Sequence, residues 1–272
     1  MTPLSNKYMD LQIAGKKALI TGSTAGIGLA IAEALVAEGA TVIVNGRTQP
    51  RVDAAVRELR GKHPTGHVES LAADLGNAAG VAHAIDRFPD VDILVNNLGI
   101  FQPKTFEQIP DEDWFRFFEV NVMSGVRLSR HHLPRMKRRN WGRIVFISSE
   151  SGLQIPHEMV HYGMTKTAQL AVSRGMAETT KGTAVTVNAV LPGPTASEGV
   201  GQFIGQLAAA GKVSREEVER QFFKTGRPTS LLQRFEKPAE IAALVAFVVS
   251  PLASGINGAA LRVEGGVVQS IG

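Results

Sequence analysis

Tyr162 and Lys166 lie four residues apart in the run Tyr162-Gly-Met-Thr-Lys166, a spacing that puts two side chains on one helix face, roughly 5 to 6 Å apart. An ammonium at about 5 Å, at an effective dielectric near 20, favours a phenolate by roughly 3 kcal/mol. That would bring a phenol from its free value near 10 to about 8 and let Tyr162 trade protons near neutral pH. A second group is the turn Thr21-Gly22-Ser23-Thr24-Ala25-Gly26-Ile27-Gly28. Its glycines allow a tight turn and let a pyrophosphate approach backbone N–H groups at the start of a helix. A third, His157-Glu158-Met159-Val160-His161, matches the H-E-x-x-H pattern of zinc metalloproteases, with two imidazoles on one helical face and a carboxylate as base. Met164 and Thr167 stand where the extended pattern needs Gly and His, so no metal site is expected. Glu150, His157 and His161 read instead as polar contacts or loop surface at a substrate mouth.

These groups need elements to hold them. Lys17-Ala-Leu-Ile-Thr21 is a short apolar run before the glycine turn, and Ile27, Ile31 and Leu35 then recur at helical spacing. Gly39 closes that helix and Thr41-Val-Ile-Val44 resumes a buried strand, a βαβ unit of about 30 residues. Strand-like runs follow near His67 to Ala72, Val91 to Asn96, Arg143 to Ser148, Val185 to Val190 and Ala259 to Val263, with helical patterns between. Strands alternating with helices imply a parallel sheet covered on both faces. The expected fold class is α/β, a Rossmann-type doubly wound parallel seven-stranded sheet with helices on both faces. No repeat or linker divides the chain, so one dinucleotide-binding and catalytic domain over 1–272 is expected, with 1–12 a loose arm. Between Thr195 and Phe235 the rhythm breaks into short helical patterns around Phe203 to Ala210 and Arg215 to Phe223, and 195–235 reads as a substrate lid.

Of the 272 residues 44% are hydrophobic and 20% charged, which suits a buried core and not disorder. There is no cysteine, which excludes disulfides, thiolate metal sites and cysteine nucleophiles. The net charge of +4 rests on six basic residues between Arg130 and Arg143; without them the balance turns slightly negative. No general nucleic-acid surface is expected. The longest strongly apolar run, Ile241 to Val249, is far below the roughly 20 residues a membrane helix needs. The N-terminus carries no signal pattern, so a cytoplasmic protein without membrane contact is expected.

The spacing Gly22-x-x-x-Gly26-x-Gly28 after Thr21 is joined by Asp74-Leu75, Asn96-Asn97-Leu98-Gly99, Asn121, Ser149 thirteen residues before Tyr162, Asn188 and Pro192-Gly193. In this order the chain resembles the short-chain dehydrogenase/reductase family, including 3-oxoacyl-carrier-protein reductases and related carbonyl reductases, over about Gly15 to Gly266. Leu98 departs from the family's usual Ala, and its bulk would alter packing beside the nicotinamide. The resemblance implies that Tyr162 is the general acid and that Lys166 lowers its pKa and holds the nicotinamide ribose. It also implies that Ser149 bonds the substrate oxygen and that Asn121 fixes a water linking Lys166 to solvent. For the cofactor it implies contacts from Gly22, Ser23, Thr24, Gly26, Ile27, Gly28, Leu75, Asn96, Gly99, Tyr162 and Lys166, with Asp74 at the adenine amino group and Thr195 at the carboxamide. A homotetramer joined partly through the last strand and the helix before it is a further implication.

Cofactor choice turns on the second strand. An acidic residue about 20 positions after the glycines binds the ribose hydroxyls of NAD, whereas a nearby Arg accommodates the 2′-phosphate of NADP. Val44-Asn45-Gly46-Arg47-Thr48 holds no acid before Asp53, which favours NADP(H), with NAD(H) the alternative because the glycine loop lacks a second basic residue. The expected reaction interconverts a ketone or aldehyde with a secondary or primary alcohol by hydride transfer. Rival readings are an NAD-dependent alcohol dehydrogenase of the same fold and a non-catalytic dinucleotide-binding regulatory protein. The full set Asn121, Ser149, Tyr162 and Lys166 argues against the latter.

Overall fold

Alternate residues of the central strands supply two separate cores, as period-two side chains must when both faces of a sheet are covered. In β1 (Lys17–Ile20), Ala18 and Ile20 face one core and Leu19 the other; in β2 (Thr41–Gly46), Val42 and Val44 oppose Ile43. The sheet adds β3 (Val68–Ala72), β4 (Ile93–Asn96), β5 (Gly142–Ile147), β6 (Val185–Pro192) and β7 (Ala260–Val263). All pairings are parallel in the order β3-β2-β1-β4-β5-β6-β7. The computed structural model describes residues 9–211 and 213–271, without the side chains of 202, 203, 206, 207 and 210. Most of the expected arm, and the Phe203 and Leu207 side chains, lie outside the described residues.

On one face α1 (Gly26–Ala37) packs with α9 (Pro238–Val248) through Ile31, Leu35, Ile241 and Val245, and α2 (Gln49–Lys62) adds Val52 and Leu59. The other face is covered by α3 (Ala78–Arg87), α4 (Asp111–Phe118), α5 (Ser124–Arg138) and α6 (Val160–Glu178), with Val81, Leu128, Met136 and Ala177 in its core. The sheet order reverses between β1 and β4, where strand ends diverge and an α/β sheet opens a crevice for ligands. Past β6 the chain forms α7 (Glu198–Gly211) and α8 (Arg215–Gln221), followed by a π-turn over Phe222–Gly226. This is the helical segment expected between Thr195 and Phe235, with α7 starting earlier than its apolar pattern. None of the described helices is long and apolar enough to cross a membrane.

Candidate active site

At the head of the crevice Gly22 and Gly26 adopt left-handed φ of 61° and 57°, and Gly28 leaves no room for a side chain, since a Cβ there would lie 2.4 Å from the Gly22 carbonyl oxygen. Asn45 braces the loop: its Oδ1 accepts from Gly22 N–H at 3.0 Å while its Nδ2 donates to the Leu71 and Ala73 carbonyls. Asn97 Nδ2 donates to the Thr21 and Gly22 carbonyls at 2.9 and 3.0 Å. The resulting cradle of backbone N–H groups at the start of α1 fits a pyrophosphate.

Several expected contacts are differently employed. The Ser23 hydroxyl is buried, donating to Ile20 O and accepting from Asn45 N–H. Leu75 lies in the second core. Asn96 turns its Nδ2 to Ser129, so Asn97, not Asn96, reaches the cavity wall. Leu98 packs against the second core with its Cδ1 near Gly22, and it does not line the cavity. Asn188 ties β6 to the approach of β7 through Ile256 O and Ala259 N–H. Arg47 and Asp74 are exposed past β2 and β3, and Asp74 Oδ1 accepts from Gly76 N–H.

The cavity, about 1000 Å³, is lined by apolar side chains including Phe101, Met159, Ile204 and Phe222. Ser149, Glu150, Tyr162, Lys166, Thr195 and Arg227 also line it. Ser149 follows β5 and caps a short turn over Glu150–Gly152, its Oγ accepting from Ser151 N–H. Tyr162 and Lys166 share the first turns of α6, and the ammonium lies 5.5 Å from the phenol ring centre. Lys166 Nζ donates to Ile147 O at 2.9 Å and to Gln169 Oε1 at 3.3 Å. Asn121 sits in a π-helical turn over Glu119–Met123 joining α4 to α5, where its Oδ1 accepts from Ile100 N–H and its Nδ2 donates to Ile100 O and Thr165 Oγ1.

One expectation is corrected here. Tyr162 does not have a depressed pKa: burial raises it above the ordinary phenol value and the Glu150 carboxylate adds to this, against weaker pulls from Ser149 and Arg227. Burial also pushes Lys166 down to about 8, opposed by Glu150. At Asn121, where a water link from Lys166 to solvent is expected, a side chain also makes contact. Gln169 Nε2 donates to the Asn121 carbonyl at 2.6 Å while its Oε1 faces Lys166. The amide orientation follows from chemistry, because a carbonyl only accepts and an ammonium only donates. A carboxamide therefore bridges Lys166 to Asn121.

The H-E-x-x-H residues do not form one helical face. His157 to Met159 make a separate short turn before α6, and His157 is fully exposed. His161 is buried, its ring 4.1 Å from that of Phe117 and 6.0 Å from that of Trp114. Glu158 pairs with Arg227 at 3.0 Å. Glu150, read as a surface or mouth residue, is buried in an ion pair with Arg227 at 3.1 Å. Arg227 and Gln169 are the site residues that sequence reasoning missed. Beneath Gly193, burial pushes Glu236 up to about 7, although it accepts Gly193 N–H at 3.1 Å.

This geometry defines an oxidoreductase site on a dinucleotide-binding fold, and residues 16–205 match the short chain dehydrogenase family. The chain belongs to the short-chain dehydrogenase/reductase family and is an enzyme of its oxidoreductase class. It is 50% identical over 263 residues to the uncharacterized oxidoreductase YvaG of Bacillus subtilis strain 168, covering 97% of this chain and all of that protein. It is 34% identical to the 3-oxoacyl-[acyl-carrier-protein] reductase of Aquifex aeolicus strain VF5, over 95% of this chain and all of the relative. Among solved structures, the L-sorbose reductase of Gluconobacter frateurii, complexed with NADPH and L-sorbose, superposes with a TM-score of 0.91 at 31% identity, covering 97% of this chain and all of that one.

Proposed function

We propose that this protein is an NADP(H)-dependent oxidoreductase that interconverts a small carbonyl compound and its alcohol, with Tyr162 as proton donor to the carbonyl oxygen. The observation that carries the reading is the convergence of Tyr162, Ser149 and Lys166 on one cavity that continues from the glycine cradle. The dinucleotide, when bound, supplies or accepts the hydride. The backbone of Gly22, Thr24, Gly26, Ile27 and Gly28 would hold its pyrophosphate, Asp74 the adenine, and Gly99, Lys166 and Thr195 the nicotinamide half. Arg47, exposed and without a hydrogen-bonded or ionic partner among the described residues, is free to meet a 2′-phosphate.

Tyr162 delivers its proton to the substrate oxygen, and Lys166 offsets the phenolate left behind. Asn121 and Gln169 hold the surrounding backbone and the ammonium. The apolar share of the cavity lining fits an uncharged substrate body. Residues 195–235 serve as a lid within a single catalytic domain, and the assembly is a homotetramer with β7 and α9 at one interface, working in the cytoplasm. Tyr162→Phe tests the core of this reading: turnover should fall at least about a hundredfold with NADPH affinity little changed. Near-normal turnover in that variant would remove Tyr162 as the acid.

A further inference from the structure

Two carboxylates share one guanidinium in the wall of the cavity. Arg227 Nε donates to Glu150 Oε1 at 3.1 Å, and Nη1 donates to Glu158 Oε1 at 3.0 Å and to the Gly226 carbonyl at 2.7 Å. Glu150 and Arg227 are buried, the Glu158 side chain is half-buried, and all three line the cavity. Two negative charges against one positive leave this cluster one charge negative. No further cation answers the excess. Among the described residues that line the cavity, Arg227 and Lys166 are the only arginine and lysine, and the buried Lys166 ammonium is directed to Ile147 O and Gln169 Oε1. Glu217, the third acid of the lining, pairs at 2.6 Å with Arg220, which stands outside it. His157 is fully exposed, with Nδ1 3.4 Å from Glu158 Oε2.

We propose that the cluster of Glu150, Arg227 and Glu158 sets the substrate class: the site takes uncharged ketones or aldehydes and rejects those that carry a carboxylate or phosphate within a few carbons of the reacting carbonyl. The proposal rests on the reading of this cavity as a carbonyl site and deepens it. An arginine in an apolar wall is the ordinary receptor for a carboxylate, which it grips with two parallel hydrogen bonds. Here the charge and two of the three nitrogens of Arg227 are already taken. An entering carboxylate becomes the third acid around one guanidinium. It loses hydration among Phe101, Met159, Ile204 and Phe222 and meets an excess of like charge, whose repulsion a poorly solvated site strengthens. Nor can it displace Glu150 from Arg227, because that would leave a buried carboxylate without its cation, held only by the Ser149 and Ser151 hydroxyls. An uncharged ester or hydroxyl meets neither obstacle, and carboxylate oxygens accept readily from a hydroxyl. The cluster also joins three segments around the substrate: Glu150 stands in the turn after β5, Glu158 in the turn before α6, and Arg227 directly after the π-turn that follows α8.

The ketone 4-oxopentanoate and its methyl ester differ by one charge at similar length. Initial rates of NADPH oxidation at pH 8, which keeps ordinary imidazoles neutral, give kcat/KM for each. In the wild type the ester should exceed the acid by about a hundredfold or more, the discrimination expected of one unpaired like charge in a partly desolvated site. Glu158→Gln removes a negative charge from a half-buried side chain and leaves Glu150 and Arg227 as a neutral pair, so the ratio of ester to acid should fall by about tenfold or more. Taking the ratio within one protein cancels any difference in folded fraction. An acid turned over within about tenfold of its ester, or a ratio that Glu158→Gln leaves unchanged, overturns the proposal. A second readout needs no turnover: pentanamide and pentanoate, similar in shape, are titrated into the NADPH complex and followed by nicotinamide fluorescence. Pentanamide should bind more tightly than pentanoate in the wild type, with a smaller gap in Glu158→Gln, and equal affinities overturn the proposal. Tighter amide binding in a protein that reduces neither ketone would uphold the charge selection and refute the carbonyl reading.

Discussion

At the reaction end of the crevice Ser149, Asn121, Lys166 and Gln169 are all buried, and each is hydrogen-bonded to residues distant in sequence or to its own turn. Arg47, past β2, is exposed and has no partner among the described residues. The difference separates two tasks. Proton transfer needs groups held in place before substrate arrives, because reorganisation during the reaction adds to the barrier. Selecting a phosphate needs only a cation that can swing to it, and an exposed arginine does so at little cost in folding stability.

If that division is right, the reaction end should hold groups kept against their own stability. Glu236, buried under Gly193, is the clearest. Its carboxyl moves from an ordinary 4.5 to about 7, first through burial and then through Glu240, Glu264 and Glu150 against the Gly193 N–H. The folded chain binds a proton more tightly there than the unfolded chain. The associated stability is therefore full below about pH 4.5 and is lost as pH rises through 7, by up to about 3 kcal/mol. Urea unfolding at pH 5 and pH 8 should show Glu236→Gln gaining on the wild type at the higher pH. The same pH dependence in both proteins would mean that this end stores no such cost.

The open end predicts a smaller effect confined to binding. Arg47→Ala should weaken NADPH binding by about ten- to a hundredfold, the loss of one charge-assisted bond worth roughly 1.5 to 3 kcal/mol, and leave NADH binding unchanged. Titration of both nucleotides by fluorescence measures the ratio. An unaltered ratio would make Arg47 plain surface and restore NAD as the cofactor.

The same contrast governs what the sequence disclosed. The strands were legible because residues such as Ala18, Leu19 and Ile20 form apolar runs too short for helices and bounded by turn signals. Tyr162 and Lys166 were legible because helical spacing fixes their neighbourhood. Arg227 was not, since it reaches Glu150 across 77 residues with no fixed spacing. The Tyr162 proton affinity is not legible for a related reason: pairwise distance to Lys166 can be read from the helix, but burial and the Glu150 carboxylate cannot. His157 and His161 fit a motif by type alone, and a break in the helix between them, with the Phe117 and Trp114 rings around His161, separates their surroundings.

The smallest predicted effect bears on how far preorganisation extends from the phenol. Gln169 touches neither Tyr162 nor Ser149 by any hydrogen bond; it acts through Lys166 and the Asn121 carbonyl. Gln169→Leu keeps the volume approximately while leaving the Asn121 carbonyl without that donor and Lys166 with one partner fewer, a loss of about 1 kcal/mol for the neutral bond and about 1.5 to 3 kcal/mol for the ammonium's bond. If the ammonium must be held to stabilise charge at Tyr162, kcat should fall about tenfold with the carbonyl KM little changed, since the substrate's own contacts remain. Steady-state kinetics with saturating NADPH separate the two parameters. A rise in KM with kcat intact would instead place Gln169 among residues that merely shape the cavity, and the preorganised region would then end at Lys166.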